Sequence, residues 1–392
     1  MSLSLDKSLG VYVSVPFCAS KCSYCNFASG VFARDRMAPY VERLVREIRG
    51  ARERAVRMGA ELPHVLDSIY FGGGTPSLLP PDLFAQIAAA LRADFELSSK
   101  VEWTIECAPG QLSAETLGAM TKAGVNRLSF GVQSFVDREA AAVGRLHTRR
   151  VTEDTVEFAR ASGISNINVD LLAGLPHQTE DSWRESVEAA IDLDVPHASV
   201  YMLEVDDDSR LGRELLVSGG KYHAHTVPGD DAIASFYEVA CDRLNDAGIR
   251  QYEISNFARD GYESRHNLRY WRRGPYIGFG LDAHSCLQRA DGGAIRFANS
   301  DDLAGYVAGR AGVEEIVDSK AQLEEAWFLG LRRNSGVNLA DVGEKFGNES
   351  AAKFRTLASE LADEGLVEFA EQSLRLTSRG RLLSNEVFSR FL

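Results

Sequence analysis

Short apolar, β-branched runs alternate with longer stretches of helical period along the N-terminal half of the chain. The runs Val11–Val15, Ser68–Phe71, Val101–Ile105, Asn126–Phe130, Asn166–Leu172 and Ala198–Leu203 predict strands. Between them, apolar residues recur at three- and four-residue spacing over 39–58, 81–92, 113–122, 151–162 and 179–192, which predicts helices. Each helical stretch opens on Pro, Ser, Thr or Asp, and several close near Gly. Strict alternation of this kind implies right-handed crossovers and a parallel α/β sheet. An open doubly wound sheet and a barrel both fit that order, and both place the active site at the carboxyl ends of the strands. Those ends carry Cys18, then Gly72-Gly73-Gly74-Thr75-Pro76, Glu106, Gln133 and Asp170. Packing alone would not select such residues, so one rim and one site are expected.

After Leu203 the pattern loosens. Asp206-Asp207-Asp208, Gly219-Gly220 and Pro228-Gly229 suggest a mobile connection. A helix is predicted over 230–247 and a short strand over Gln251–Ile254, followed by an aromatic, glycine-rich stretch to Cys286. From Leu323 onward the pattern is helical and ends in a β-hairpin around Gly365–Leu376, as in a small winged-helix domain. The expected division is therefore 1–229, 230–314 and 315–392.

Charge narrows the partners. The 392-residue chain carries a net charge of −13, which a phosphate backbone would repel unless basic groups were segregated on one face. Its most basic stretch, Arg43 to Arg57, interleaves Arg with Glu at helical spacing and reads as a solvated helix face. Nucleic acid is not an expected partner. Met1–Lys7 lacks the apolar run of a signal peptide, and no segment approaches the ~20 apolar residues of a membrane span. A cytoplasmic location is expected, where clustered cysteines point to metal or catalysis rather than to disulfides.

Three of the six cysteines fall within eight residues, Cys18-Ala-Ser-Lys-Cys22-Ser-Tyr-Cys25. One loop can wrap a soft metal centre with thiolates this close. Three ligands on a four-iron cubane leave one iron open to chelate a further molecule. A zinc knuckle would need a fourth ligand nearby, yet the next histidine is His64 and no second cysteine pair follows.

This spacing resembles the radical SAM superfamily, and longer blocks make the likeness closer. They are YVSVPFCASKCSYCNF (Tyr12–Phe27), GGGTPS (Gly72–Ser77), GVNRLSFGVQSF (Gly124–Phe135), GRLHT (Gly144–Thr148) and NINVDLLAGLP (Asn166–Pro176). YEISNFAR (Tyr252–Arg259), ESRHNLRYW (Glu263–Trp271) and YIGFGLDAHS (Tyr276–Ser285) complete the set. Together they resemble the oxygen-independent coproporphyrinogen-III-oxidase-like family over nearly the whole chain. The resemblance implies a partial (β/α)6 barrel with a small helical, winged-helix-like C-terminal domain. It implies a 4Fe-4S cluster held by Cys18, Cys22 and Cys25 with exchangeable S-adenosylmethionine. Gly73, Gly74 and Thr75 would meet the amino end of that ligand, and Glu106 would accept from its amino group. Tyr12, Gln133, Arg145 and Asp170 match nucleoside- and carboxylate-contacting positions, several of which hold a second S-adenosylmethionine in the porphyrinogen-oxidising relatives. Tyr24, the aromatic residue before the third cysteine, belongs to the same cofactor-binding set. Each of these polar groups also has a plainer reading, as a group satisfied at a strand end.

Departures from the family pattern choose the branch. The dehydrogenases carry a further cysteine two residues after the third, where this chain has Phe27, and their N-terminal extension is short here. Both features point to the haem-chaperone branch, to no residue in a catalytic role, and to haem and haem-acceptor proteins as partners. Peripheral contact with membrane haem proteins and a homodimer are compatible with that branch. Cys107 stands where the family has Asn, His177 where a small residue is common, and Leu281-Asp282 where smaller residues occur. Haem needs an axial ligand, commonly His. His266 sits in the HNLRYW block with Arg265, Arg269, Arg272 and Arg273 near it for propionates, although a capped loop stapling the barrel edge explains the block equally well. His147, His177 and His284 are rivals, whereas His223 and His225 read as solvated. A radical methylase or a dehydrogenase-like enzyme on the same scaffold is the alternative class, distinguished by product formation and consumed S-adenosylmethionine. A tRNA-modifying enzyme is disfavoured by the acidic charge.

Overall fold

The computed structural model describes residues 7–207, 209–217 and 219–392. Met1–Asp6, Asp208 and Ser218 lie outside the described residues, and with them most of the N-terminal reading and the last residue of the acidic run. The first six strands are β1 (Ser8–Val15), β2 (Val65–Gly73), β3 (Glu96–Cys107), β4 (Arg127–Gln133), β5 (Asn166–Ala173) and β6 (His197–Met202). They are joined through α1 (Met37–Arg57), α2 (Pro81–Asp94), α3 (Ala114–Ala123), α4 (Asp137–Ala142), α5 (Arg149–Ala161) and α6 (Glu180–Asp192). All six are parallel and pair in chain order, with no reversal. A doubly wound sheet needs a reversal of strand order, so the fold is the partial (β/α)6 barrel.

Beyond β6 come α7 (Arg210–Leu216), α8 (Asp230–Asp246), β7 (Arg250–Gln251), β8 (Asn256–Ala258) and α9 (Arg265–Trp271). Of the strand expected over Gln251–Ile254 only Gln251 lies in one, β7; the chain turns at Glu253, which is fully buried and bonded to Asn256, and β8 starts beyond the expected span. β9 (Tyr276–Phe279), β10 (His284–Gln288), β11 (Ala294–Ala298), α10 (Leu303–Val307) and β12 (Val313–Val317) follow. β9 pairs in parallel with β1, and β10 to β12 continue antiparallel, giving the order β12-β11-β10-β9-β1-β2-β3-β4-β5-β6-β8-β7. A second core forms around α11 (Ser319–Leu331), β13 (Val337–Asn338), α12 (Leu339–Phe346), α13 (Asn348–Asp363), β14 (Val367–Ala370) and β15 (Ser373–Leu376). Trp327 stacks on Phe391 at its centre. The expected hairpin is β14–β15, but it does not end the chain: α14 (Ser378–Leu382) and α15 (Ser384–Ser389) close over it. Among the described residues no helix is long and apolar enough to cross a membrane.

Side-chain parity explains what the barrel holds. Successive residues of a strand face opposite sides. On β1, Leu9, Val11, Val13 and Val15 are fully buried in the large core, which also contains Tyr40, Val41, Leu44 and Ile48 of α1. Their alternates, Ser8, Gly10, Tyr12 and Ser14, are polar or small and face the barrel interior. Tyr12 there stacks on Tyr70, and Tyr70 on His266. The same parity puts Ser68, Glu102, Arg127, Asn168 and Ser199 inside, each nearly fully buried. The interior is polar rather than packed with aliphatic groups, and Ser68, Glu102, Asn168 and Ser199 in it are hydrogen-bonded.

α9 plugs the interior at the amino end of the strands. Arg269 is 1% exposed and donates to Ser8 O (3.0 Å), Ser8 Oγ (2.9 Å), Pro275 O (3.1 Å) and the Asp67 carboxylate. It ties β1, β2 and the approach to β9 together. Gly10 makes room for it, since a Cβ there would lie 2.4 Å from Arg269 Cδ. Removing the guanidinium leaves buried acceptors unpaired, so Arg269→Met should destabilise the fold by about 3 kcal/mol. In thermal unfolding this should read as a fall in Tm of roughly 6–12 °C. An unchanged Tm would show that the plug is not structural.

Candidate functional site

β1 runs directly into the cysteine loop. Cys18 N–H donates to Gly30 O (2.9 Å) and Gly30 N–H to Pro16 O (2.9 Å), so the loop closes on its own entry strand. Phe17 anchors the turn edge-on against Tyr40 and Phe32. Inside the loop, Lys21 Nζ donates to the carbonyls of Phe27 (2.8 Å) and Ser29 (2.7 Å). Neighbouring segments fix the rest: Ser23 N–H donates to Val143 O (3.1 Å), and Leu211 N–H of α7 to Ser23 O (2.9 Å). The three thiols are free, Cys22 buried and Cys18 and Cys25 partly exposed. Burial pushes the Cys18 thiol up, while side-chain hydrogen bonds with Ser29 and Thr75 pull against it. Arg145 Nη1 donates to Cys22 Sγ at 3.4 Å. The loop thus carries three soft donors on one braced segment.

The glycine loop is tied to the same backbone. Gly74 N–H donates to Val15 O (2.9 Å) and Thr75 N–H to Phe17 O (2.8 Å). A Cβ on Gly74 would lie within 2.8 Å of the Val15 and Phe17 carbonyl oxygens, so only glycine permits this approach. Gly73 holds φ +97° with Ser14 Oγ behind it, a conformation that L side chains rarely adopt. Gly72 faces the Glu106 carboxylate, which a Cβ there would crowd at 2.9 Å.

The interior charges converge nearby. Tyr70 OH donates to Glu106 Oε1 (2.9 Å). Burial, then repulsion by Asp170, pushes the Glu106 carboxyl up to about 7. Burial also raises Asp170, opposed first by a hydrogen bond from Asn168 Nδ2 (2.8 Å). Gln133 has φ +73° at an irregularity where β4 meets β5, and strain of this sort is concentrated at functional sites. Arg145 donates to Gly131 O, and a Cβ on Gly131 would meet both Arg145 and Gln133. Tyr12, Gly73, Gly74, Thr75, Glu106, Gln133, Arg145 and Asp170 therefore share one rim with the cysteines. Tyr24 lies beside this rim, its hydroxyl hydrogen-bonded with Cys22 and close to Arg145. Its ring packs against the cluster of Val143, Leu172 and Leu211 and braces the loop.

The histidines separate sharply. His266 is 1% exposed, with Nδ1 3.1 Å from Ser68 Oγ and Nε2 2.8 Å from Tyr270 OH. Its backbone N–H donates to Glu102, and burial lowers its pKa to about 3. It is a neutral wall beneath Tyr12 and Tyr70. His147 is buried with Nε2 3.1 Å from Val132 O, and burial lowers its pKa to about 4. His177 sits in a loop against His223, ring centroids 4.8 Å apart. His284 lies on β10 with an exposed side chain, Nε2 3.8 Å from Asp282 Oδ1. Of the four arginines near the HNLRYW block, Arg265 bonds to Lys100 O, Arg269 is the plug, Arg272 is exposed, and Arg273 alone lines a cavity. Cys107 faces the helix side of the sheet, its thiol pushed up to about 12 by burial, which fits a small packed residue.

That cavity holds about 670 Å³ and adjoins the rim. Tyr12, Ser14, Gly73, Phe27 and Ala28 form its near wall, Tyr270 and Trp271 a side, β10 and β11 the floor, and Phe328 and Leu329 of α11 the cover. Its size lies in the ordinary range for organic ligands. Sequence reasoning missed Ser14, Tyr70, Arg296 and Glu325. Strand parity signals the first two, but nothing local signals that α11 supplies Glu325.

Comparison with known proteins places this arrangement. Residues 12–190 match the family model for the radical SAM superfamily, and residues 317–383 that for the HemN C-terminal domain. The fold and the cysteine-and-glycine rim thus define a radical SAM protein with a HemN-type C-terminal domain. The chain is 35% identical over 388 residues to haem chaperone HemW of Bacillus subtilis, covering 97% of this chain and 98% of that one. It is 33% identical to haem chaperone HemW of Lactococcus lactis, covering 99% and 98%. The chain belongs to the haem chaperone HemW family. The solved structure of coproporphyrinogen III oxidase (HemN) from Escherichia coli shares its fold, with TM-score 0.82, 22% identity, and coverage of 99% of this chain and 90% of that one.

Glu106 generates a pH prediction. With its carboxyl near 7, it is largely protonated below neutrality, and an ammonium group pairs with it only once it ionises. S-adenosylmethionine should bind roughly eightfold tighter at about pH 7.5 than at about pH 6, following the ionised fraction. Calorimetric titration of wild type and Glu106→Gln checks this. The variant should lose the dependence, and equal slopes in both would remove Glu106 from the ligand's amino end.

Proposed function

We propose that the chain holds a four-iron four-sulfur cluster on Cys18, Cys22 and Cys25, binds S-adenosylmethionine at its open iron, and carries haem to an acceptor protein. The observation that carries this reading is continuity: Tyr12, Gly73, Ala28 and Phe27 belong to the rim and also line the apolar cavity beside it. A flat apolar ligand in that cavity would lie next to the cluster loop. When bound, the cluster chelates the amino-acid end of S-adenosylmethionine and can supply an electron. Gly73, Gly74 and Thr75 would offer backbone groups to that end, and Glu106 a carboxylate. Tyr12, Gln133, Arg145 and Asp170 would hold the remainder, with Arg145 also donating to the Cys22 sulfur. His266 would act as a near neighbour of the site, keeping the Tyr12–Tyr70 wall in place from beneath.

Phe27 separates carrying from oxidation. It stands where the dehydrogenases have their extra cysteine, is 66% exposed at the cavity mouth, and offers an apolar face instead of a sulfur. Residues 1–229, 230–314 and 315–392 then supply the cluster barrel, the cavity floor and the cover respectively. The cytoplasm suits the reduced thiols, and the acidic surface suits a protein partner rather than nucleic acid.

Anaerobic reconstitution should load about four irons per chain, the count of a single cubane. Serine at Cys18, Cys22 or Cys25 should abolish loading, whereas Cys241→Ser and Cys286→Ser should retain it. Iron analysis and the visible absorption of the cluster read this out, and a stable cluster in Cys22→Ser would sink the assignment.

Coproporphyrinogen III, S-adenosylmethionine and a reductant should yield no protoporphyrinogen with this chain. Chromatographic detection of that product would replace the carrier reading with an enzymatic one.

A further inference from the structure

The cluster reading leaves open what sets the cluster's reduction potential. On that reading, we propose that Arg145 and Tyr24 are positioning residues that donate to Cys22 Sγ and raise the one-electron reduction potential of the cluster. Geometry carries the argument. Arg145 spreads its guanidinium between two acceptors: Nη1 lies 3.4 Å from Cys22 Sγ, and Nη2 donates to Gly131 O. Only glycine leaves room there, since a Cβ on Gly131 would lie 2.9 Å from Arg145 Nη2. The turn that carries Arg145 is itself tied to the cysteine loop. Arg145 N–H donates to Ala140 O (3.0 Å), and Ser23 N–H to Val143 O (3.1 Å). The Tyr24 hydroxyl is hydrogen-bonded with Cys22, while its ring packs with Val143, Leu172, Leu175 and Leu211.

The three sulfurs are not served alike. Cys18 meets the hydroxyls of Ser29 and Thr75, and Cys25 Sγ lies 3.9 Å from Ser29 Oγ. Cys22 is the buried one of the three, and it faces a full positive charge and a phenol. One-electron reduction adds a negative charge to a cluster and its thiolates. Donors on a ligand sulfur, and a fixed cation beside it, stabilise that state more than the oxidised one. The apolar wall around Tyr24 excludes water, which strengthens the effect. The electron comes from an external low-potential one-electron donor, and no bond forms or breaks.

The test is a redox titration of the anaerobically reconstituted full chain without S-adenosylmethionine. Electron paramagnetic resonance follows the reduced cluster, and iron is counted in every sample. Tyr24→Phe keeps the ring and removes only the hydroxyl. At a fixed potential its reduced-to-oxidised ratio should fall about threefold, a midpoint lower by about 28 mV. Arg145→Gln should lower the ratio about tenfold, or about 59 mV, and Arg145→Lys, which keeps the charge, should recover most of that loss. Tyr222→Phe, in the same apolar cluster, should match wild type. Wild-type midpoints in both Tyr24→Phe and Arg145→Gln at full iron content would overturn the assignment and leave the cluster reading intact. Failure of both variants to hold iron would also overturn it, by making the pair mere builders of the loop. A wild-type chain that takes up no cluster would instead overturn the reading on which the assignment rests.

Discussion

The contact on which the site depends is backbone against backbone. Gly74 and Thr75 donate to the carbonyls of Val15 and Phe17, immediately before the first cysteine. No side chain fits between the two segments, because a Cβ on Gly74 would overlap three backbone atoms. The glycine loop and the cysteine loop are therefore one rigid body, built from the carboxyl ends of adjacent parallel strands. Everything that the rim can bind is placed relative to that body. Arg145 reaches the Cys22 sulfur from the far side of the barrel, and Glu106 meets the open face of Gly72.

A second constraint is the polar barrel interior. Closed (β/α)8 barrels fill their centre with branched aliphatic layers. Here Ser68, Glu102, Arg127, Asn168 and Ser199 occupy the inward positions, where burial without a partner is costly. α9 supplies several partners. Glu102 accepts from the backbone N–H groups of Arg265 and His266, Ser68 meets the His266 ring, and Arg269 caps the bottom. The HNLRYW block is thus both the stopper of the barrel and the support of the Tyr12–Tyr70 wall. Its histidine is neutral and engaged, while the more open imidazole of His284 lies on the sheet extension.

What could be read from the sequence was mostly local. Cysteine spacing, the triple glycine and the acidic strand ends were legible because each belongs to one short segment with a fixed geometric reason. Barrel or open sheet was not legible, since both share the same strand–helix alternation and differ only in pairing. β9 hid inside a glycine-rich stretch, and its parallel pairing with Gly10–Val13 is a long-range fact. The burial of His266 was hidden for the same reason: Glu102 and Ser68 are 164 and 198 residues away. Tyr24 was legible from its motif, whereas its packing against Leu172 and Leu211 depends on segments far along the chain. The cavity was the least legible feature, assembled from the cysteine loop, α9, β10–β11 and α11.

The central claim is that one chain holds an iron–sulfur cluster and a haem in adjoining but separate places. Iron anomalous scattering from crystals of the reconstituted, haem-loaded protein tests it most directly. The account predicts a cubane peak at Cys18, Cys22 and Cys25 and a distinct single-iron peak in the cavity walled by Tyr12, Trp271 and Phe328. Haem iron at the surface pair His177–His223, or no iron beyond the cubane, would contradict it.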